Sequence, residues 1–210
     1  MDKDTMWAAV ASERRSLADL LDALTPAQWD TPSLCSEWRV RDVAGHLAMT
    51  PAGDPSVGEM IRGLARNRGD IWGMGRDVAV AWSARPTAEI VAVMRETATS
   101  RRRPAVTTDA NVLLDVIVHG QDIAVPLGLH RPVPAEAGAA SFDRIWRMGW
   151  PFWARRRLRG VSLVAADADV RVGDGPEVRG SLAALLLLVS GRTEAAVGLV
   201  EGPGVAQLGG

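Results

Sequence analysis

Apolar side chains recur at helical spacing through most of the first 150 positions of the chain. Between residues 3 and 24, Met6, Val10, Leu17, Leu20, Leu21 and Leu24 fall on one face, which predicts a long amphipathic helix with one buried side. Thr25-Pro26 supplies an N-cap followed by proline at the first helical position, and so predicts a short helix ending near Trp29. Thr31 to Trp38 shows no period. From Arg39 to Met49 the set Val40, Val43, Ala44 and Leu47 returns to helical spacing, with His46 along that helix. Pro51 to Pro55 reads as a loop, and residues 57–83 read as mostly helical although Gly63, Gly69, Gly73 and Gly75 weaken the pattern. Pro86-Thr87 opens a helix running to about Ser100. A strong helix covers 109–125, with Asp109 as its cap and Pro126-Leu127-Gly128 as its stop. Pro134 to Phe152 reads as one further helix, ending in the run Arg155-Arg156-Arg157.

After Gly160 the period changes. Val161, Leu163 and Ala165 alternate with other residues, as do Val170 and Val172, and Gly173-Asp174-Gly175-Pro176 is turn chemistry. Residues 181–190 then read as a buried helix. The pattern predicts a mainly α chain, with a helical bundle over 1–155 and a small α+β appendix over 156–210.

Composition narrows the function more than the fold. With 210 residues the chain is long enough for one large domain or two small ones, and its hydrophobic and charged fractions of 47% and 23% are those of a folded globular protein. A formal charge of -1 leaves no electrostatic footprint for nucleic acid or an anionic membrane surface. Lys3 is the only lysine, so nearly all basic residues are arginine, a bias of high-GC coding sequences. The charged start Met1-Asp2-Lys3-Asp4 lacks the apolar core of a signal peptide, and the longest apolar run, Leu182 to Val189, is far short of the ~20 residues of a membrane helix. The single cysteine, Cys35, excludes an internal disulfide. A soluble, cytoplasmic protein is expected.

Chemistry concentrates in two of the helices. Of three histidines, His46, His119 and His130, the second lies in Leu113-Leu114-Asp115-Val116-Ile117-Val118-His119-Gly120-Gln121-Asp122. Residues 115, 119 and 122 are four and three apart and share one helical face, where a carboxylate and an imidazole one turn apart can bind one cation. Apolar neighbours bury this helix, so its polar stripe needs partners. His46, one turn after Asp42, would supply a third ligand from another helix and leave one position of a zinc-like ion open. Zinc, iron, nickel and manganese suit this donor set about equally. The same spacing also fits an internal ion pair at Asp115–His119 and a core histidine at position 46. His130 sits in a loop, and Cys35, in the irregular segment, reads as structural.

Three stretches carry a family resemblance. The first runs from Trp29 to Leu47 and includes Ser36-Glu37-Trp38-Arg39-Val40-Arg41-Asp42-Val43-Ala44-Gly45-His46. The second is Asp115-Val116-Ile117-Val118-His119-Gly120-Gln121-Asp122-Ile123 with Pro126-Leu127-Gly128. The third is Val178-Arg179-Gly180-Ser181 with Leu185-Leu186-Leu187-Leu188-Val189-Ser190-Gly191-Arg192. In combination they resemble the mycothiol-dependent maleylpyruvate isomerase family of actinobacteria, within the DinB-like metal-binding superfamily. The resemblance implies a DinB-like up-down four-helix bundle followed by a sterol-carrier-like appendix. It implies a divalent metal, usually zinc, on His46, Asp115 and His119. The family pattern has glutamate where this chain has Asp115, one methylene shorter. It also uses an arginine in its C-terminal part toward an anionic substrate, for which Arg192 is the candidate, although an exposed arginine at a helix end fits as well.

The reaction implied is that of a mycothiol-dependent isomerase or S-transferase. A metal lowers the pKa of a coordinated thiol, and the resulting thiolate adds to a small electrophile. Asp122 would orient His119 or take a proton, or else cap the helix or pair with an arginine. A metal-dependent hydrolase and a non-catalytic small-ligand-binding module are the alternatives. The partners expected are a small-molecule electrophile and a low-molecular-weight thiol, with no nucleic acid and no membrane. DinB-like bundles often dimerise, so a homodimer is a further expectation.

Overall fold

The periodic segments become helices with nearly the bounds read from the sequence. The computed structural model of the protein describes residues 1–53, 68, 71–104 and 107–208. The first part of the helix expected over 57–83 therefore lies outside the described residues. By its contacts the chain divides into two units, one formed by Met1–Ala9 with Asp109–Gly210 and the other by Val10–Thr108.

The unit Val10–Thr108 holds most of α1 (Lys3–Asp22), then α2 (Pro26–Trp29), α3 (Val40–Ala52), α4 (Ile71–Ser83) and α5 (Thr87–Glu96). On α1, Val10, Leu17 and Leu21 are completely buried, while Met6 and Leu20, and Leu24 just beyond the helix, are half-buried. The apolar period does not anticipate that α1 also buries Glu13 and Arg14. Arg14 Nη1 donates to the carbonyls of Ala98 at 3.3 Å and Ser100 at 2.8 Å, satisfying backbone oxygens just beyond the end of α5. The expected start of α2 forms a full capping box: Gln28 N donates to Thr25 Oγ1, and Thr25 N donates to Gln28 Oε1 at 2.9 Å.

Helix α3 packs against α4 and α5. Its tightest approach is at Gly45, where a Cβ would lie only 2.8 Å from that of Ser83. The loop expected to begin at Pro51 begins later, because Pro51 and Ala52 complete the last turn of α3. Proline is tolerated there because few hydrogen bonds of the helix remain to be lost. Thr50 Oγ1 donates to the His46 carbonyl at 2.9 Å in the same turn.

The unit of Met1–Ala9 and Asp109–Gly210 holds α6 (Asp109–Ala124), α7 (Ala135–Arg147) and α8 (Ala154–Arg157). After these come β1 (Ser162–Ala165), β2 (Arg171–Gly173), β3 (Glu177–Gly180), α9 (Leu182–Val189), α10 (Thr193–Val197) and β4 (Val200–Glu201). The strands form one sheet in the order β2-β1-β3-β4. β1 runs antiparallel to β2 and parallel to β3, with Leu163 opposite Val172 on one side and Val178 on the other. Every residue of β1 is buried. The turn between β2 and β3 admits only glycine at two positions. Gly173 and Gly175 have φ of 78° and 124°, and a Cβ would meet the carbonyl oxygens of Val161 and Gly160 at 2.3 and 2.2 Å.

Helix α9 is buried at every position but Ala183 and packs on α7, α6 and the strands, as its unbroken apolar run predicts. Asp109 lies in the first turn of α6, where a carboxylate favours the positive helix end, and its side chain pairs with Lys3 at 3.2 Å.

The helix expected from Pro134 to Phe152 is a correction. It stops at Arg147, Met148 is extended, and a turn containing a cis Trp150–Pro151 bond leads to the single turn α8. Gly149 is a poor helix former, and Pro151 lacks an N–H and disfavours helical geometry in the residue before it. The tryptophans divide accordingly. Trp7 and Trp29 fill cores, whereas Trp150 and Trp153 stand 63% and 51% exposed. The chain is thus mainly helical with a small C-terminal four-stranded sheet. No described helix is long and apolar enough to cross a membrane.

Candidate functional site

Helix α6 is buried on nearly every side. From Asn111 to Ala124 only Asn111, Asp115 and His119 are left half-buried, each four residues from the next, so a single polar edge of the helix stays accessible. At one end of that edge Arg144 Nε donates to Asn111 Oδ1 at 2.9 Å. At the other lies Asp122, whose side chain is completely buried.

His119 sits between two carboxylates. Its Nδ1 is 2.8 Å from Asp122 Oδ2, and its Nε2 is 3.4 Å from Asp115 Oδ1. Burial pushes the Asp122 carboxyl upward, but the His119 hydrogen bond and charge, with those of Arg192, outweigh it and hold the group at about 2. An ionised carboxylate only accepts, so Nδ1 carries the hydrogen in this contact and the ring is fixed with Nε2 on the side of Asp115.

Arg192 completes the arrangement from 70 residues further on. Its Nε donates to Asp122 Oδ1 at 2.9 Å, its Nη2 to Asp122 Oδ2 at 2.7 Å, and its Nη1 to the Ser190 carbonyl at 2.8 Å. The guanidinium is delivered by the way α9 ends. Gly191 takes φ of 93°, and the Arg192 N–H bonds back to the Leu187 carbonyl at 2.8 Å, the glycine-dependent reversal that closes many helices. The glycine in Ser190-Gly191-Arg192 is the sequence signal for that turn, but nothing in the sequence joins Arg192 to Asp122.

An open depression of about 450 Å³ borders the same turn, lined by Phe152, Trp153, Arg156, Arg157, Ser190 and Gly191 among others. Arg157 closes one wall, donating to the α9 carbonyls of Leu188 at 3.2 Å and Val189 at 2.9 Å.

His46 belongs to the other unit, half-buried on α3 with its ring centroid 5.4 Å from that of Trp38 at a tilt of 41°. One turn earlier, buried Asp42 holds the start of α3. It accepts from Arg39 N and Nε at 2.9 and 3.0 Å and from Ser83 Oγ at 2.5 Å. Burial raises its carboxyl, and the Arg39 and Ser83 hydrogen bonds bring it below its ordinary value. The irregular segment before α3 is a tight reversal closed by the bridge between Pro32 and Arg39. Cys35 lies half-buried within it, its N–H 3.1 Å from Ser33 Oγ. His130 is exposed in a loop.

Residues 10–54 match the N-terminal domain of mycothiol maleylpyruvate isomerase, and this match contains His46. Two solved structures share the fold. One is a mycothiol-dependent maleylpyruvate isomerase, 17% identical, with a TM-score of 0.55, covering 97% of this chain and 93% of that one. The other is a histidine-to-alanine mutant of such an isomerase, 16% identical with a TM-score of 0.50 over the same shares. No curated sequence matches this chain.

Proposed function

We propose that the protein is a metal-dependent enzyme that uses a low-molecular-weight thiol, mycothiol in the proteins it resembles, to isomerise or thiolate a small electrophile. The observation that carries this reading is the pair of donors on α6. Two ligand atoms each about 2.1 Å from a tetrahedral zinc ion stand about 3.4 Å apart. His119 Nε2 and Asp115 Oδ1 are 3.4 Å apart, with the other ring nitrogen held by Asp122. The α6 pair therefore fits a zinc-like cation, and the family motif in which His46 lies supports that residue as the third ligand. A bound divalent cation supplies a Lewis acid that favours the thiolate over the thiol at neutral pH.

The residues of the chain do the rest. Asp122 fixes the His119 ring, so that its Nε2 lone pair is presented without a tautomer change. The buried apolar flanks of α6 exclude water from all but its one polar edge. Asp115 is one methylene shorter than the glutamate of the family pattern, so it would hold the metal differently or less tightly.

Purified protein should carry about one divalent metal per chain, with zinc taken up most tightly. His46→Ala or His119→Ala should lose it. The metal-loaded protein should be stabilised in a thermal shift by mycothiol and should turn over a conjugated cis-diacid only when the thiol is present. A wild-type protein that holds no metal after reconstitution would overturn this function, and so would metal-dependent ester cleavage that ignores the thiol.

A further inference from the structure

Each nitrogen of Arg192 already donates to an acceptor within the protein: two to the carboxylate of Asp122, one to the Ser190 carbonyl. The side chain is 17% exposed and the carboxylate it grips is completely buried. Asp122 in turn spends Oδ2 on both Arg192 Nη2 and His119 Nδ1. From these contacts we infer that Arg192 is a positioning residue that acts through Asp122 on the His119 ring. The chain Arg192–Asp122–His119 makes the C-terminal helix end part of the metal-binding edge of α6.

The geometry requires both members of the pair. Left alone, a carboxylate can rotate about its χ2 axis and offer either oxygen to the imidazole. The guanidinium fork, bonding Oδ1 through Nε and Oδ2 through Nη2, removes that freedom and turns Oδ2 toward Nδ1. A lysine could match the charge but not the two parallel bonds. Gly191 contributes because the reversal it permits places Arg192 at this point and not along the axis of α9.

This inference rests on the function proposed above, but it can be tested apart from it. The variants are Arg192→Gln, Arg192→Lys, Asp122→Asn and the double variant Asp122→Asn/Arg192→Gln. The readouts are zinc affinity, by competition with a chromophoric chelator, and the 15N shifts of the His119 ring in metal-free protein. Arg192→Gln and Asp122→Asn should each weaken zinc binding by roughly 10–100-fold, the usual range for removing a group that orients a ligand. If Arg192 acts through Asp122, the double variant should be no weaker than Asp122→Asn alone. Arg192→Lys should retain the defect.

Should Arg192→Gln fail to fold, Arg192→Lys carries the test, since it keeps a cation beside the buried carboxylate. Zinc affinity weakened there supports the inference, and wild-type affinity overturns it. Zinc affinity and ring shifts unchanged by Arg192→Gln, with KM raised for an anionic electrophile only, would also overturn it by making the arginine a substrate contact. If wild-type protein takes up no zinc, the proposed function fails, and the ring shifts still decide: loss of the Nδ1–H form in Arg192→Gln supports positioning, and an unaltered ring refutes it.

Discussion

Asp42 and Asp122 are buried carboxylates, one in each unit, and the arginines that face them come from very different distances along the chain. Arg39 is three residues from Asp42, at the start of the same helix, and its side chain remains 43% exposed. Arg192 is 70 residues from Asp122 and only 17% exposed. Asp42 has other support, from Ser83 Oγ and the Arg39 backbone N–H. Asp122 shares its load with a histidine instead. A carboxylate with local and redundant partners anchors a helix end. One whose partners are a distant arginine and a chemically useful imidazole ties stability to the site.

The largest contrast should come from removing each arginine. Arg192→Ala leaves a buried carboxylate without its two guanidinium hydrogen bonds and should destabilise its unit by about 3–5 kcal/mol. Arg39→Ala, losing a half-exposed guanidinium while Ser83 stays, should cost about 1 kcal/mol. Urea denaturation of both variants measures the difference, and equal losses would erase the distinction. Next in size is Ser83→Ala, which removes the 2.5 Å hydrogen bond to a buried carboxylate and should cost about 2 kcal/mol. Combined with Arg39→Ala it should cost more than the two alone, since Asp42 then keeps only a backbone donor.

The smallest effect is on pH dependence. The folded carboxyl of Asp42 lies below its ordinary value of 3.8. Its ionised form therefore stabilises the fold above the unfolded pKa, and that contribution is lost as pH falls through the lower folded value. Asp42→Asn should flatten the acid limb of stability against pH below about 4. An acid limb unchanged in that variant would show that other carboxylates control it.

The sequence revealed most where the physics is local. Periodicity placed α1, α3 and α6, Thr25-Pro26 placed the start of α2, and alternation after Gly160 placed β1 and β2. It failed at Pro51, which the last turn of α3 accommodates, and at Gly149 to Pro151, where three residues end a helix whose apolar period continues. Short elements such as α10 and β4 have too few residues to show a period at all. Within the site, the spacing of Asp115, His119 and Asp122 on one helix was legible because a helix makes residues three and four apart neighbours. The grip of Arg192 on Asp122 was not, because it depends on how α9 packs against α6 and on the turn at Gly191. Two exposed tryptophans, 150 and 153, show the same limit: residue type alone does not say which large side chains a core will take.

Gly45 carries a consequence of a different kind. It precedes His46, and the space a methyl group would fill is taken by the Cβ of Ser83. Ser83 also holds Asp42. Three positions, 42, 45 and 83, are thereby locked into one another, and none can vary freely without a change at the others. In a library of random variants this triplet should tolerate few single changes while the outer face of α3 accepts many. That would give the protein a fixed register for the histidine that survives wide drift in the rest of its sequence.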